Sequence, residues 1–317
     1  MNRALLIGID HYDRFNSLDG CVNDVDALEP LLSRNDDSSP NFDCQKRTSV
    51  TGGVTRDALI GDLDALLGGG ADVALLYFAG HGMGSGTDAA LVTQDATSAT
   101  LGIAFSEVLA KVAGSSVREV VLILDCCFSG AAGGIPQLAS SAAALRDGVS
   151  ILAASRDDQV AAETGSGHGL FSTFLCGGLE GGAADVLGKV TVAGLYAYLD
   201  ESFGAWAQRP AFKANVDHLH GLRSCTPAVP LSELRQICEL FPDAGHLFPL
   251  DPSYEPDAEP RDAEHERVFS TLQRYRAAKL LQPVDADHMY FAAMESKACR
   301  LTPLGRHYWE VAKDGRL

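Results

Sequence analysis

The chain has 317 residues, 46% hydrophobic and 21% charged, a balance that belongs to a folded globular protein and excludes a disordered one. A formal charge of −17 argues against a general nucleic-acid binder, because phosphates repel such a surface. No stretch approaches the roughly 18 apolar residues of a membrane span, and the apolar run before Asp10 is too short for a signal-peptide core.

In chain order, residues 4–9 read as a buried strand and residues 24–32 have helical spacing. A helix is expected over 55–67, a strand over 73–78, a helix over 105–113, and strands over 120–124 and 149–154. Strands separated by helices predict a mostly parallel sheet covered on both faces. Residues 130–147, rich in Gly, Ala and Ser, read as a loop, and a helix follows over 192–207 with Thr191 as its N-cap. From 227 to 260 prolines recur and acidic residues cluster, the composition of a linker with a short helix over 232–240. Beyond it, the pattern predicts a helix over 264–281, an extended segment over 289–295, and a last helix running to Ala312, capped by Thr302 and started by Pro303. Residues 261–317 carry ten Lys/Arg against eight Asp/Glu, so the excess acid belongs to the earlier part. The expected domains are therefore 1–226, a linker at 227–260, and 261–317. The eight cysteines have no CxxC pair and no framework spacing, which fits reduced thiols in a cytoplasmic protein.

Two motifs sit at the ends of predicted strands, where α/β folds place ligands and catalytic groups. They are Tyr77-Phe78-Ala79-Gly80-His81-Gly82 and Leu124-Asp125-Cys126-Cys127-Phe128-Ser129-Gly130. A nucleophilic thiol needs a nearby base to raise its thiolate fraction, and a histidine on a neighbouring strand end supplies one. The tetrahedral intermediate needs oriented N–H donors, for which the amides of Gly82 and Cys127 are candidates. No G-x-G-x-x-G follows the first strand, and the His and Cys positions lack zinc-ligand spacing.

These two motifs resemble the paired motifs of the caspase superfamily, the second being nearer the metacaspase form. The run LIGIDHYDRFNSLDGCVNDVDAL resembles the family opening, and HGLFSTFLCGGLEG and Gln208-Arg209-Pro210 resemble later family segments, so that the likeness spans about residues 1–215. The resemblance implies a caspase-hemoglobinase three-layer α/β sandwich and a cysteine endopeptidase with His81 as general base and Cys127 as nucleophile. It further implies cleavage after Arg or Lys, with Asp24 and Asp125 lining the S1 pocket, since carboxylates pair with basic side chains. The bland alternative has Asp24 capping a helix and Asp125 ending a strand.

No cofactor is expected. Metacaspases often bind calcium after the His motif, but only Asp88, Asp95 and Glu107 stand in that stretch here, too few hard oxygen ligands for such a site. Arg146 is a candidate processing site of a zymogen, since exposed small-residue loops attract proteolysis. The string CRLTPLGRHYW resembles the end of a winged-helix domain, for which a regulatory protein partner is expected before DNA. Two readings follow: a prokaryotic endopeptidase of a regulated or defence pathway, or a silent caspase-like scaffold whose C-terminal domain binds a partner or DNA.

Overall fold

The computed structural model describes residues 1–51, 53–85, 88–126, 128–129, 145–154, 163–164, 167–203, 210–217, 219–257, 259 and 261–317. They divide into two compact units, residues 1–184 with 189–225, and residues 185–188 with 226–317.

The first unit begins β1 (Asn2–Gly8), α1 (Cys21–Ser33), β2 (Phe42–Thr48), α2 (Arg56–Leu66) and β3 (Val73–Ala79). It continues β4 (Gly82–Ser85), β5 (Asp88–Val92), β6 (Gly102–Ala104), α3 (Phe105–Gly114), β7 (Glu119–Asp125), β8 (Phe128–Ser129) and β9 (Val149–Ala153). Then come β10 (Glu163–Thr164), β11 (His168–Gly169), α4 (Leu170–Gly177), β12 (Lys189–Val190), α5 (Val192–Phe203), β13 (Ala211–Asn215) and β14 (Arg223–Ser224). Among the described residues the main sheet runs β13-β9-β7-β3-β1-β2, all parallel except the antiparallel edge strand β13.

Alternation along the central strands makes the three layers. Ala4 and Leu6 of β1 point to one face, with Val25, Leu28 and Leu32 of α1, Phe171 and Leu175 of α4, and Leu195 and Leu199 of α5. Leu5 and Ile7 point to the other, with Leu59 and Leu63 of α2 and Phe105, Val108 and Val112 of α3. Each fully buried Leu, Ile, Val or Phe contributes about 1.5–3 kcal/mol, which explains why both faces must be covered. This is an α/β three-layer fold. The expected strands at 4–9, 73–78, 120–124 and 149–154 are β1, β3, β7 and β9; Thr55 caps α2 by accepting the Ala58 N–H. The sequence pattern misses β2 and β13. Phe42–Thr48 reads FDCQKRT, whose charges suit an edge strand but leave too few apolar positions to show a period.

A smaller sheet, β6-β5-β4-β8, grows from the tips of β3 and β7. β4 follows His81, and its Gly82 and Met83 pair in parallel with Phe128 and Ser129 of β8.

In the second unit, residues 227–260 carry α6 (Leu231–Leu234), α7 (Ile237–Leu240) and β15 (Leu247–Pro249). Val229, Leu234, Ile237, Phe241, Leu250 and Tyr254 are buried there, although the proline-rich composition reads as a linker. α8 (Ala263–Ala277), β16 (Leu281–Val284), α9 (Met289–Met294), β17 (Ala298–Leu301) and α10 (Pro303–Lys313) complete it, with sheet order β15-β17-β16. Two local expectations are corrected. Residues 289–294 are helical and not extended, because Met289, Ala292 and Ala293 form an i, i+3, i+4 stripe that is buried. The helix expected to reach 281 stops at Ala277, where Lys279 takes φ 60° and Leu281 enters the sheet. Thr302 caps α10 by accepting the Gly305 N–H at 3.1 Å, with Pro303 in the first turn.

Candidate active site

The site forms at the carboxyl ends of β1, β3 and β7, where chain leaving a parallel sheet lines a crevice. The tips of β3 and β7 are in register, Ala79 opposite Asp125, and the Gly80 N–H donates to the Asp125 carbonyl at 3.4 Å. Cys127 lies outside the described residues. The chain on both sides of it is described: Asp125 pairs with Ala79 before it, and Phe128 pairs with Gly82 after it. Gly82, the candidate oxyanion donor, opens β4 between Leu91 and Phe128.

His81 is held by the loop after β1. Its backbone N–H donates to the Tyr12 hydroxyl at 2.8 Å, and the two rings lie 4.8 Å apart. Its Nε2 stands 2.7 Å from the Asn16 carbonyl. A carbonyl only accepts, so Nε2 carries the hydrogen, and a neutral ring then presents a bare Nδ1 lone pair. The loop is itself pinned: Asp13 N–H donates to Gln94 O at 3.0 Å and Leu18 N–H to Asp10 O at 2.8 Å. Tyr12 is buried, which raises its phenol well above its ordinary range and keeps it protonated. Sequence reasoning missed Tyr12 and Asn16; both stand in the HYDRFN run, whose polar residues so soon after a buried strand were the available signal.

Asp24 and Asp125, a hundred residues apart, are brought together. Asp24, in the first turn of α1, is only 4% exposed. Its Oδ1 stands 3.0 Å from His168 Nδ1, and the Gly169 N–H reaches its two oxygens at 3.3 and 3.4 Å. Asp125 Oδ2 accepts the Tyr77 hydroxyl at 3.0 Å. A methyl group on Gly169 would meet Asp24 Oδ2 at 3.2 Å, Ser172 Oγ at 3.3 Å and Asp125 Oδ2 at 3.8 Å, so both carboxylates converge on that glycine.

The electrostatics follow from this crowding. Burial, then repulsion from Asp24, push Asp125 up to about 7, against the pull of the Tyr77 hydroxyl. Burial also raises Asp24, opposed by hydrogen bonds from Ser172, His168 and the Gly169 N–H. Burial and Asp125 hold the Tyr77 phenol well above its ordinary range, so it remains a donor. The neighbouring thiols are suppressed: burial and nearby carboxylates raise Cys21, and push Cys176 up to about 12. Two carboxylates, both raised by burial, thus stand beside the same glycine.

The GCVND step is the platform on which this pair is built. Gly20 takes φ 113°, a conformation costly for other residues, and a side chain there would come within 3.0 Å of the Gly167 carbonyl. Asn23 Nδ2 donates to that same carbonyl at 3.1 Å, and the Asp10 carboxylate accepts the Cys21 N–H at 2.8 Å.

The other candidates lie apart from this pair. Arg146 donates from Nε to Val112 O at 2.9 Å, and from its terminal nitrogens to Asp147 O, Ser115 Oγ and Val117 O at 2.7, 3.1 and 2.8 Å. Of the three acids weighed for calcium, Asp88 accepts from Ser106, Asp95 from Thr93 and the Arg56 N–H, and Glu107 from the Arg56 guanidinium.

The sequence model of the caspase domain matches residues 1–215, the whole stretch that builds this cleft. The chain belongs to the caspase-domain family. Members of that family are cysteine peptidases, hydrolases acting on protein substrates. Among solved structures, the Geobacter sulfurreducens protein GSU0716 aligns at 15% identity and a TM-score of 0.52, covering 68% of this chain and 94% of its own. Caspase-1 from Spodoptera frugiperda aligns at 14% identity and a TM-score of 0.49, covering 70% and 92%. No curated protein matches the chain. Among the described residues, no helix of this caspase-domain chain is long and apolar enough to cross a membrane.

Proposed function

We propose that this caspase-domain chain is a cysteine endopeptidase that cleaves proteins after Arg or Lys, with His81 and Cys127 as its dyad. The observation that carries the proposal is the registered pairing on both sides of position 127: Asp125 with Ala79 and Phe128 with Gly82, the residues that bracket His81.

In the proposed mechanism the His81 Nδ1 takes the Cys127 thiol proton, while the Nε2–H bond to Asn16 O fixes the tautomer and steadies the imidazolium. The thiolate adds to the scissile carbonyl, and the Gly82 and Cys127 amides stabilise the oxyanion. His81 then protonates the leaving amine, and water hydrolyses the thioester. Basic P1 preference is supported by the convergence of Asp24 and Asp125 on Gly169, a pocket that attracts a guanidinium or ammonium and rejects an acidic side chain.

The test is a set of fluorogenic peptides ending in Arg, Lys or Asp, assayed with the full chain and with Cys127→Ala. Turnover of the Arg and Lys peptides, lost in Cys127→Ala, is expected. Turnover that survives the substitution removes the dyad, and preference for Asp removes the pocket assignment.

A further inference from the structure

His168 touches the acidic pair, yet the proposed dyad makes no use of it. Its Nδ1 stands 3.0 Å from Asp24 Oδ1, with the imidazole partly exposed and the carboxylate nearly sealed. The surrounding chain holds it there. Thr164 pairs with His168 across β10 and β11, Asn23 ties down Gly167, and α4 starts at Leu170.

The pair has an imbalance of donors. Asp24 receives His168, the Gly169 N–H and Ser172, whereas Asp125 receives the Tyr77 hydroxyl. Two carboxylates this close do not both ionise readily in a buried place, and the one with more donors keeps the charge. Of the two, Asp24 is therefore the one that ionises more readily. An ionised carboxylate only accepts, so Nδ1 of His168 carries the hydrogen. Among the described residues, the Cys21 and Cys176 thiols and, beyond them, Asp10 and Glu180 also act on this spot. Both thiols stay protonated, so they add no compensating charge.

Resting on the S1 reading above, we infer that His168 is a positioning residue of that pocket: its Nδ1–H holds the Asp24 carboxylate charged and aimed to receive a basic side chain. An arriving guanidinium is already positive. It binds Asp24 and displaces the proton from Asp125 to solvent, leaving both carboxylates paired with one cation.

The experiment is calorimetric binding of agmatine, an arginine side chain without its carboxylate, to the full chain, His168→Ala, His168→Asn and Asp24→Asn from pH 5.5 to pH 8.5. Agmatine binding requires no turnover. His168→Ala is expected to weaken it about tenfold, the effect of one hydrogen bond to a charged group. Asn offers an N–H near the Nδ1 position, so His168→Asn is expected within about threefold of the parent. The pH at which affinity is half lost should move upward in His168→Ala and return in His168→Asn. Parent-like binding by His168→Ala, with binding lost in Asp24→Asn, overturns the role of His168 and leaves the pocket standing. No binding by the parent, or binding undiminished in Asp24→Asn, removes the pocket itself. If His168→Ala does not fold, His168→Leu, which fills the place without a donor, takes its part: binding weakened about tenfold upholds the positioning role, and parent-like binding overturns it.

Discussion

Replacing Asp125 by Asn should stabilise the first unit at neutral and alkaline pH while weakening its hold on basic ligands. Asp125 is raised from 3.8 to about 7 by burial and by Asp24. A group raised on folding binds its proton more tightly in the native state, so its contribution is fully present below pH 3.8 and is lost as pH rises through about 7. Every tenfold gain in proton affinity is worth about 1.4 kcal/mol, so ionising Asp125 opposes folding by about 4 kcal/mol at pH 8. Asn is nearly isosteric and still accepts the Tyr77 hydroxyl, but it carries no charge to repel Asp24. Urea unfolding of the full chain and of Asp125→Asn, followed at pH 4, 6 and 8, measures the difference. The gap should be under about 1 kcal/mol at pH 4, about 3 kcal/mol at pH 6 and about 4 kcal/mol at pH 8. Parallel stability curves for the two proteins across that range would refute the reasoning, because they would mean that Asp125 ionises as freely folded as unfolded.

Tyr12→Phe removes the acceptor of the His81 N–H and leaves that donor orphaned, so kcat on an Arg peptide should fall about tenfold with KM within about twofold of the parent. Gly20→Ala forces a side chain into φ 113° against the Gly167 carbonyl; thermal melting should show a loss of about 1–3 kcal/mol, and KM for Arg peptides should rise as the 167–169 segment shifts off Asp24. Arg146→Ala removes four hydrogen bonds around the C-terminal end of α3, and urea unfolding should record a loss of about 1–3 kcal/mol.

The four inner strands of the central sheet, β1, β3, β7 and β9, were legible because they are near-continuous apolar runs, the mark of parallel strands buried on both faces. His81 and Asp125 were candidates because they stand in motifs at the tips of those strands, and Asp24, in α1, was one only through the resemblance of the GCVND step to the family. Asn16 was not, since it acts through a backbone carbonyl that any residue carries. His168 was not, since its partner lies 144 residues away and only tertiary packing joins them. Residues 289–294 show the remaining difficulty: a six-residue apolar run serves helix and strand alike until Met289, Ala292 and Ala293 find a common core.

The most direct measurement of the proposed dyad is covalent capture. The full chain is treated at neutral pH with an acyloxymethyl ketone peptide ending in Arg, then weighed intact and mapped by peptide mass analysis. Burial raises the thiols of Cys21, Cys44, Cys176, Cys225, Cys238 and Cys299, so none of these should compete. A single adduct on Cys127, absent in His81→Ala, is the predicted result. An adduct on another cysteine, or labelling of Cys127 at an unchanged rate without His81, would contradict it.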